Sequence, residues 1–163
     1  MRKRTVTVTD KMQRRYRYIS GLMRVNDTPM WGELTPLLPT YTRMIEWGWD
    51  DSIEFVPYWN PRGMFEFAPG ESQKVAVSAW YRPDGKLVMC VFNGQKQSVT
   101  VRIALHPGKF PVKLRSFTKT SDMTSPDPVF DEEKTEPEVF PIENGSITIP
   151  VRAEDYRLLR FDE

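Results

Sequence analysis

The chain has 163 residues, of which 39% are hydrophobic and 28% charged, an ordinary balance for a soluble globular protein. Its 23 basic and 22 acidic residues leave a net charge of +1, which gives no overall field to attract nucleic acid or anionic lipid. We therefore expect no nucleic-acid partner and no membrane association. The early basic residues could form a nucleic-acid or heparin-like patch, but we interpret them as a solvated terminal segment: Arg2, Lys3, Arg4, Lys11, Arg14, Arg15 and Arg17.

Cysteine and histidine usage argues against several classes of site. Cys90 is the single cysteine and His106 the single histidine, so an intrachain disulfide or a typical structural zinc site cannot form. We predict no metal and no cofactor. Met1–Arg4 resembles the start of a signal peptide, but alternating polar residues follow, and no stretch approaches the ~20 apolar residues of a membrane span. We expect a soluble chain without an export signal.

The first sixty residues give mixed signals. Residues 5–9 alternate and indicate a short strand, whereas residues 16–25 settle on neither the helical nor the strand period. Apolar residues at three- and four-residue steps predict a helix over Thr35–Gly48. Thr35 is its expected N-cap, Pro36 its first position and Gly48 its end.

After residue 70 the apolar period becomes two, which predicts strands joined by turns. Pro83 to Gly85 favours a tight turn, as do Asn93-Gly94 and Asn144-Gly145. The polar, Pro-rich stretch 119–138 is predicted to be a long loop. The predicted strands are residues 74–81, 86–92, 98–105, 112–117, 146–151 and 156–161.

Six short strands at regular spacing favour a mainly β fold: an antiparallel β-sandwich with a short N-terminal helical segment. We assign residues 1–60 to an N-terminal segment with one helix and residues 61–163 to the sandwich.

Carboxylates in the N-terminal segment are candidates for hydrolytic chemistry, because two facing carboxyl groups can share acid, base or nucleophile roles. Asp27 and Glu33 flank Pro29-Met30-Trp31-Gly32, and Asp50 and Asp51 follow Trp49. The alternative, which we favour, is that Asp27 begins a turn and Asp50 is a surface acid.

Aromatic residues are concentrated before the sandwich, and an indole face can cover a sugar ring. Trp80 lies within the sandwich, on the face opposite Val77 and Ala79. It is either an exposed stacking surface or, as we prefer, covered by the helical segment. The candidate carbohydrate contacts are Trp31, Glu33, Trp49, Tyr58 and Trp59.

Four stretches carry a family resemblance: Phe55-Val-Pro-Tyr-Trp59, Val77-Ser-Ala-Trp-Tyr-Arg82, Gly85-Lys-Leu-Val-Met-Cys-Val-Phe-Asn93 and Asp155-Tyr-Arg-Leu-Leu-Arg160. Together they resemble the C-terminal region of bacterial glycoside hydrolases, particularly N-acetyl-β-galactosaminidase-like enzymes and their relatives. The resemblance implies the end of a (β/α) barrel followed by an accessory β-sandwich. The catalytic acids of that family lie on earlier barrel strands, so no catalytic residue is carried over to this chain.

The resulting hypothesis is a non-catalytic accessory β-sandwich of a glycoside hydrolase-like protein. Two alternatives remain: a free-standing carbohydrate-binding module, and a small glycoside hydrolase that uses Asp27, Glu33 or Asp50. Buried tryptophans would favour the first and a coplanar exposed set the second. We also expect self-association through apolar surface near Met30, Trp31, Leu34 and Leu37.

Overall fold

A computed structural model describes residues 8–28, 37–67, 75–131 and 133–163. These ranges form three layers: two helices lie on one antiparallel sheet, and that sheet packs on a second. The predicted fold class, a mainly β antiparallel sandwich with an N-terminal helical segment, is confirmed.

The described part of the N-terminal segment contains two helices rather than the predicted one, α1 (Asp10–Val25) and α2 (Leu38–Trp47). Thr9 is the N-cap of α1, and its side chain accepts a hydrogen bond from the Met12 amide, so residues 8 and 9 are not a strand. Gly48 ends α2 as predicted, with a left-handed φ of 95°. Thr35 and Pro36, the predicted start of this helix, lie outside the described residues.

Nine strands are present in the described ranges, and their order across the sheets is β1-β3-β4-β9-β6-β7-β8-β5-β2. One layer contains β1, β3, β4, β9 and β6, the other β8, β5 and β2, and β7 pairs with both β6 and β8. The strands are β1 (Glu54–Val56), β2 (Phe65–Phe67), β3 (Val75–Tyr81), β4 (Leu87–Asn93), β5 (Val99–Leu105), β6 (Lys119–Asp122), β7 (Val139–Glu143), β8 (Ser146–Val151) and β9 (Asp155–Asp162).

Two predictions about the chain's second half are wrong. Residues 112–117 form no strand in the described structure, although Val112, Leu114 and Phe117 pack against the core. Conversely, the predicted loop 119–138 begins with β6, which pairs with both β7 and β9. The strand could not be recognised from its sequence because its side chains are polar. Thr120 and Asp122 are nevertheless buried, where they have hydrogen-bond partners.

The space between the two sheets is filled by the inward residues of the alternating strands. From β3 these are Val77, Ala79 and Tyr81, as the period of two predicts. The opposing layer supplies Val101, Ile103 and Leu105 of β5, and Ile147, Ile149 and Val151 of β8.

A second apolar cluster joins the helices to the outer face of the first sheet. Trp80 belongs to this cluster and is 1% exposed, so the prediction that the helical segment covers Trp80 is confirmed. Val25, Met44 and Trp47 supply the helical side of this cluster. Facing them from the sheet are Val88, Cys90, Phe92, Tyr156 and Leu158.

A buried ionic network fastens α1 to this sheet. The Arg17 side chain donates from Nε to Asp155 Oδ1 at 2.6 Å and from Nη1 to Asp127 Oδ2 at 2.9 Å. Its Nη2 donates to the Tyr156 carbonyl at 2.9 Å and to Thr124 Oγ1 at 3.1 Å. Burial alone would lower the pKa of Arg17, but the charge of Asp155 helps to outweigh that effect and holds the pKa above its usual range.

Candidate functional site

The three predicted contact residues that lie within the described ranges do not line one cavity. Trp31 and Glu33 lie outside the described residues. Trp49 follows α2, is half-buried and packs against Trp80 with ring centroids 5.0 Å apart and an interplanar angle of 55°. Tyr58 and Trp59 follow β1 and are 41% and 60% exposed.

The exposed pair does not form a flat platform. The rings of Tyr58 and Trp59 meet edge to face, with centroids 4.9 Å apart and an interplanar angle of 86°. Phe55 lies between this pair and the interior, 6.0 Å from the Trp59 ring and 5.4 Å from the Trp80 ring. A continuous row of aromatic rings thus connects the surface near Trp59 with the helix–sheet interior near Trp49.

A cavity of about 360 Å³ opens where the end of α1 and the body of α2 meet the outer face of β3. We refer to it as the helix–sheet cavity. It combines aromatic walls with a few polar groups, the usual composition of a small-molecule site. Its lining residues are Arg24, Asp27, Thr28, Tyr41, Met44, Ile45, Trp49 and Trp80.

The polar groups of the cavity are held by the local fold. Asp27 has a φ of 52° just past the end of α1, and its amide donates to the Arg24 carbonyl at 2.8 Å. This turn brings Asp27 Oδ1 to 2.9 Å from Trp80 Nε1, from which it accepts a hydrogen bond. Arg24 is 8% exposed, and its guanidinium lies 4.8 Å from the centre of the Tyr41 ring.

Sequence reasoning missed Arg24 and Tyr41, since neither belongs to a known motif. The signal that could have found Arg24 is its place four residues after Ser20 and seven after Arg17, on the face by which α1 docks.

The two described carboxylates proposed for hydrolysis are engaged in structural contacts. Asp27 accepts from the Trp80 indole, and Asp50 accepts from Ser52 and from Arg82, the latter at 2.8 Å. Hydrogen bonds from Ser52 and Arg82 lower the pKa of Asp50 to about 2, the opposite of the raised pKa of a general acid. These contacts fit the interpretation of Asp27 as a turn residue and of Asp50 as a surface acid.

Within the described part of the chain, neither Cys90 nor the residue types that bind metals offer a reactive centre. Cys90 is fully buried, and burial raises the pKa of its thiol to about 12, which opposes a nucleophilic role. Within the described ranges no three His, Cys, Asp or Glu side chains cluster so that they could hold a metal ion. None of the described helices is both long and apolar enough to cross a membrane.

Comparison with known families finds a match over part of the sandwich. Residues 66–124, which are 59 of the 163 residues, match the sequence model of the glycosyl hydrolase family 30 beta sandwich domain. The matched segment runs from β2 to just past β6, and so includes strands of both layers. The resemblance to the C-terminal region of glycoside hydrolases is confirmed by this match.

Two solved structures are similar to the chain in part. One is a family 30 endoxylanase from Clostridium papyrosolvens C71, with 16% identity and a TM-score of 0.38. The matched region covers 61% of this chain and 24% of the endoxylanase chain. The other is an α-N-acetylgalactosaminidase candidate from Bacillus halodurans C-125, with 13% identity and a TM-score of 0.38. Here the matched region covers 61% of this chain and 20% of the Bacillus chain. This chain therefore spans about a quarter of the first structure and a fifth of the second. No match was found among curated proteins.

Proposed function

We propose that the chain is a non-catalytic accessory β-sandwich of a glycoside hydrolase-like protein, in which the two helices are a fixed layer of the domain. The observation that supports this most directly is the family match over β2 to β6, combined with the buried attachment of α1 to the same sandwich. A helix fastened by a buried arginine and two carboxylates is a structural layer rather than a mobile arm.

The contacts of the carboxylates support a role without catalysis. Asp27 and Asp50 each accept hydrogen bonds from neighbours in the domain, and Asp50 is half exposed beside Arg82. Neither is placed as a free acid facing a second carboxyl group among the described residues.

The test is a hydrolysis assay of the purified chain. Chromogenic β- and α-N-acetylgalactosaminides and xylan are incubated with the chain at several pH values, and product release is compared with buffer. We expect no turnover. Turnover that disappears in both Asp27→Asn and Asp50→Asn variants, while Asp51→Asn keeps it, would overturn the proposal and establish the small hydrolase.

A carbohydrate-binding role is the second candidate, favoured by the exposure of Trp59 and Tyr58 beside each other. Aromatic side chains left 60% and 41% exposed are available for stacking on a sugar. The assay is depletion from solution by insoluble polysaccharides, together with fluorescence titration by soluble glycans that include N-acetylgalactosamine. Binding that is lost in Trp59→Ala but retained in Val139→Ala, a change at an apolar side chain of similar exposure, would support this role.

Self-association through the N-terminal segment is a further proposal, but we place the contact surface on residues other than Leu37. Leu37 was expected to be exposed, but it is 2% exposed and belongs to the interior. The exposed apolar side chains of the two helices are Ile19, Leu22, Leu38 and Ile45. Light scattering across a concentration series measures the mass: a dimer that Ile45→Glu converts to monomer supports the proposal, and a monomer at every concentration contradicts it.

A further inference from the structure

The outward face of α1 changes character along the helix. The inward face meets the sheet through residues at helical spacing, so the outward face is a stripe on the opposite side, at steps of three and four residues. This stripe begins with two exposed cations, Lys11 and Arg15. It continues with Ile19 and Leu22, which are 38% and 43% exposed. We refer to these four residues as the α1 stripe.

The two cations of the α1 stripe form no ion pair with any residue that the structure describes. Other cations nearby do so, since Arg17 and Arg152 both pair with Asp155. Lys11 and Arg15 are exposed beside them and take part in no such contact in the described ranges. A surface that fits the α1 stripe therefore has negative charge at one end and apolar side chains at the other.

The last turn of α1 itself has the complementary charge. A helix carries partial negative charge at its C-terminal end. Asp27 adds an exposed carboxylate just beyond this end. The C-cap residue Asn26 donates from Nδ2 to the Leu22 carbonyl at 2.8 Å, which leaves its side-chain oxygen as an acceptor. Arg24, the cation of the last turn, faces inward and is 8% exposed.

We propose that two copies of the chain pair through the α1 stripe, with the helices antiparallel and a twofold axis at Ile19. Arg15 of one copy then lies beside Leu22 of the other, and Lys11 approaches Asp27 of the partner copy. The aliphatic stems of the cations cover apolar surface while their charged ends reach the negative end of the facing helix. The inference rests on the self-association proposed above and adds its direction and symmetry.

The charge pattern selects the antiparallel direction. Lys11 and Ile19 are eight residues apart, about 12 Å along a helix, so the twofold axis holds the two copies of Lys11 about 24 Å apart. This separation exceeds the Debye length of about 8 Å at physiological ionic strength, and the repulsion between them is screened. Parallel helices would instead bring Lys11 against Lys11 and Arg15 against Arg15.

The second helix widens the apolar part of this surface. The Arg24 guanidinium lies 4.8 Å from the centre of the Tyr41 ring, so α2 lies beside the last turns of α1. Leu38 and Ile45 stand three residues before and four after Tyr41, on the same side of α2, and are 58% and 74% exposed. Such a contact is small against the roughly 1,200–2,000 Å² of a standard interface, so we expect a weak dimer.

Sedimentation equilibrium of the full chain from about 10 µM to about 1 mM measures the association. Arg15→Glu sets a carboxylate against the negative helix end of the partner copy and should weaken dimerisation at least about tenfold. Adding Asn26→Lys to the same chain should recover most of that loss. Lys109→Glu makes the same change of charge after β5, in the other layer, and should leave dimerisation unaltered.

Three results would overturn the proposal. These are a monomer at every concentration, equal effects of Arg15→Glu and Lys109→Glu, and no recovery in the Arg15→Glu, Asn26→Lys chain. A monomer would leave the accessory role of the sandwich intact, since the hydrolysis assay tests that role separately. Turnover in the hydrolysis assay would likewise leave the dimer intact.

Cysteine cross-linking tests the direction of the two helices. The native Cys90 is fully buried and stays out of reach of the reagent. Ile19→Cys lies on the twofold axis and should cross-link to its copy with a short bifunctional reagent. Lys11→Cys, about 24 Å from its copy, should not. Cross-linking of Lys11→Cys as readily as Ile19→Cys, or none with Ile19→Cys in a solution that contains dimer, would overturn the antiparallel pairing.

Discussion

Arg17 and Asp155 are separated by 138 positions in the chain, yet Arg17 Nε lies 2.6 Å from Asp155 Oδ1 in the interior. Asp155 also accepts from Arg152 at 2.9 Å, so it connects the buried guanidinium with a partly exposed one. This pair joins the first described helix to the last strand. The helical layer and the sandwich should therefore unfold together.

Removing the buried guanidinium of Arg17 tests whether the helical layer and the sandwich unfold together. Arg17→Met leaves Asp127 buried without its cation and Asp155 with only the partly exposed Arg152, and we expect it to lower the free energy of unfolding by about 3–5 kcal/mol. Arg15→Met, at an exposed position of the same helix, should change it by no more than about 0.5 kcal/mol. Urea denaturation followed by circular dichroism measures both. Equal stability of the two variants would show that the network does not hold the helix.

Close approach of α1 to the sheet requires Gly21. A Cβ atom at this position would lie 2.7 Å from Phe92 Cδ2 and 2.7 Å from Tyr156 Cβ. Alanine is a better helix former by about 1 kcal/mol, but the overlap with a backbone-linked carbon should outweigh that gain. We expect Gly21→Ala to lower stability by about 1–2 kcal/mol net. The tryptophan fluorescence of this variant should also shift to longer wavelength, because Trp80 becomes more accessible to water.

Gly108→Ala is the matched control for this change. No described atom lies within 4 Å of where its Cβ would stand, and its stability should equal that of the parent within about 0.5 kcal/mol. A more stable Gly21→Ala variant would mean that α1 can move away from Phe92 at little cost.

The thiol of Cys90 should report on unfolding. Burial in the helix–sheet cluster raises the pKa of Cys90 to about 12, so the reactive thiolate is scarce at neutral pH and out of reach of reagents. A disulfide reagent at pH 8 should label the denatured chain rapidly and the native chain only at the rate at which it opens. Fast labelling of the native chain would show that the helical layer detaches readily.

Asp50 should titrate well below an ordinary aspartate. Hydrogen bonds from Ser52 and Arg82 lower its pKa to about 2, against about 3.9 in an unfolded chain. The folded state thus binds its proton less tightly. Its contribution to stability is present above about pH 4 and is lost as the pH falls towards about 2. Carboxyl carbon shifts measured against pH give the pKa.

Ser52→Ala removes the first of the two side-chain donors and should raise the pKa of Asp50, whereas Asp51→Asn should leave it low. An Asp50 titration near pH 4 in the parent protein would contradict the observed contacts with Ser52 and Arg82.

The sandwich strands could be predicted because their inward faces are apolar, whereas α1 could not. The residues that α1 buries stand at helical spacing but are polar or small, so a search for hydrophobic periodicity finds no face. These residues are Gln13, Arg17, Ser20, Gly21 and Arg24, and Val25 at the end of the helix is the one apolar member of the buried set. A helix that docks through charged side chains and a glycine can be recognised only when the structure shows its partners on β9.

The same limit applies to the candidate site. Sequence composition drew attention to Trp49, which does line the helix–sheet cavity, and to Tyr58 and Trp59, which are exposed. It could not show that these aromatics lie on separate surfaces, because their separation depends on how β1 pairs with β3. Nor could it show that Arg24 is buried, since a lone arginine in a basic segment usually lies in solvent.

The position of β9 has a consequence for synthesis. β9 is the last of the described strands along the chain, yet it lies between β4 and β6 in the first layer and supplies Asp155 and Tyr156 to α1. While residues 155–162 are still inside the ribosome, β4 lacks a neighbour and α1 lacks its anchor. The nascent chain must therefore keep the apolar faces of the first sheet from wrong partners until β9 has emerged, and the helical layer cannot be anchored before then.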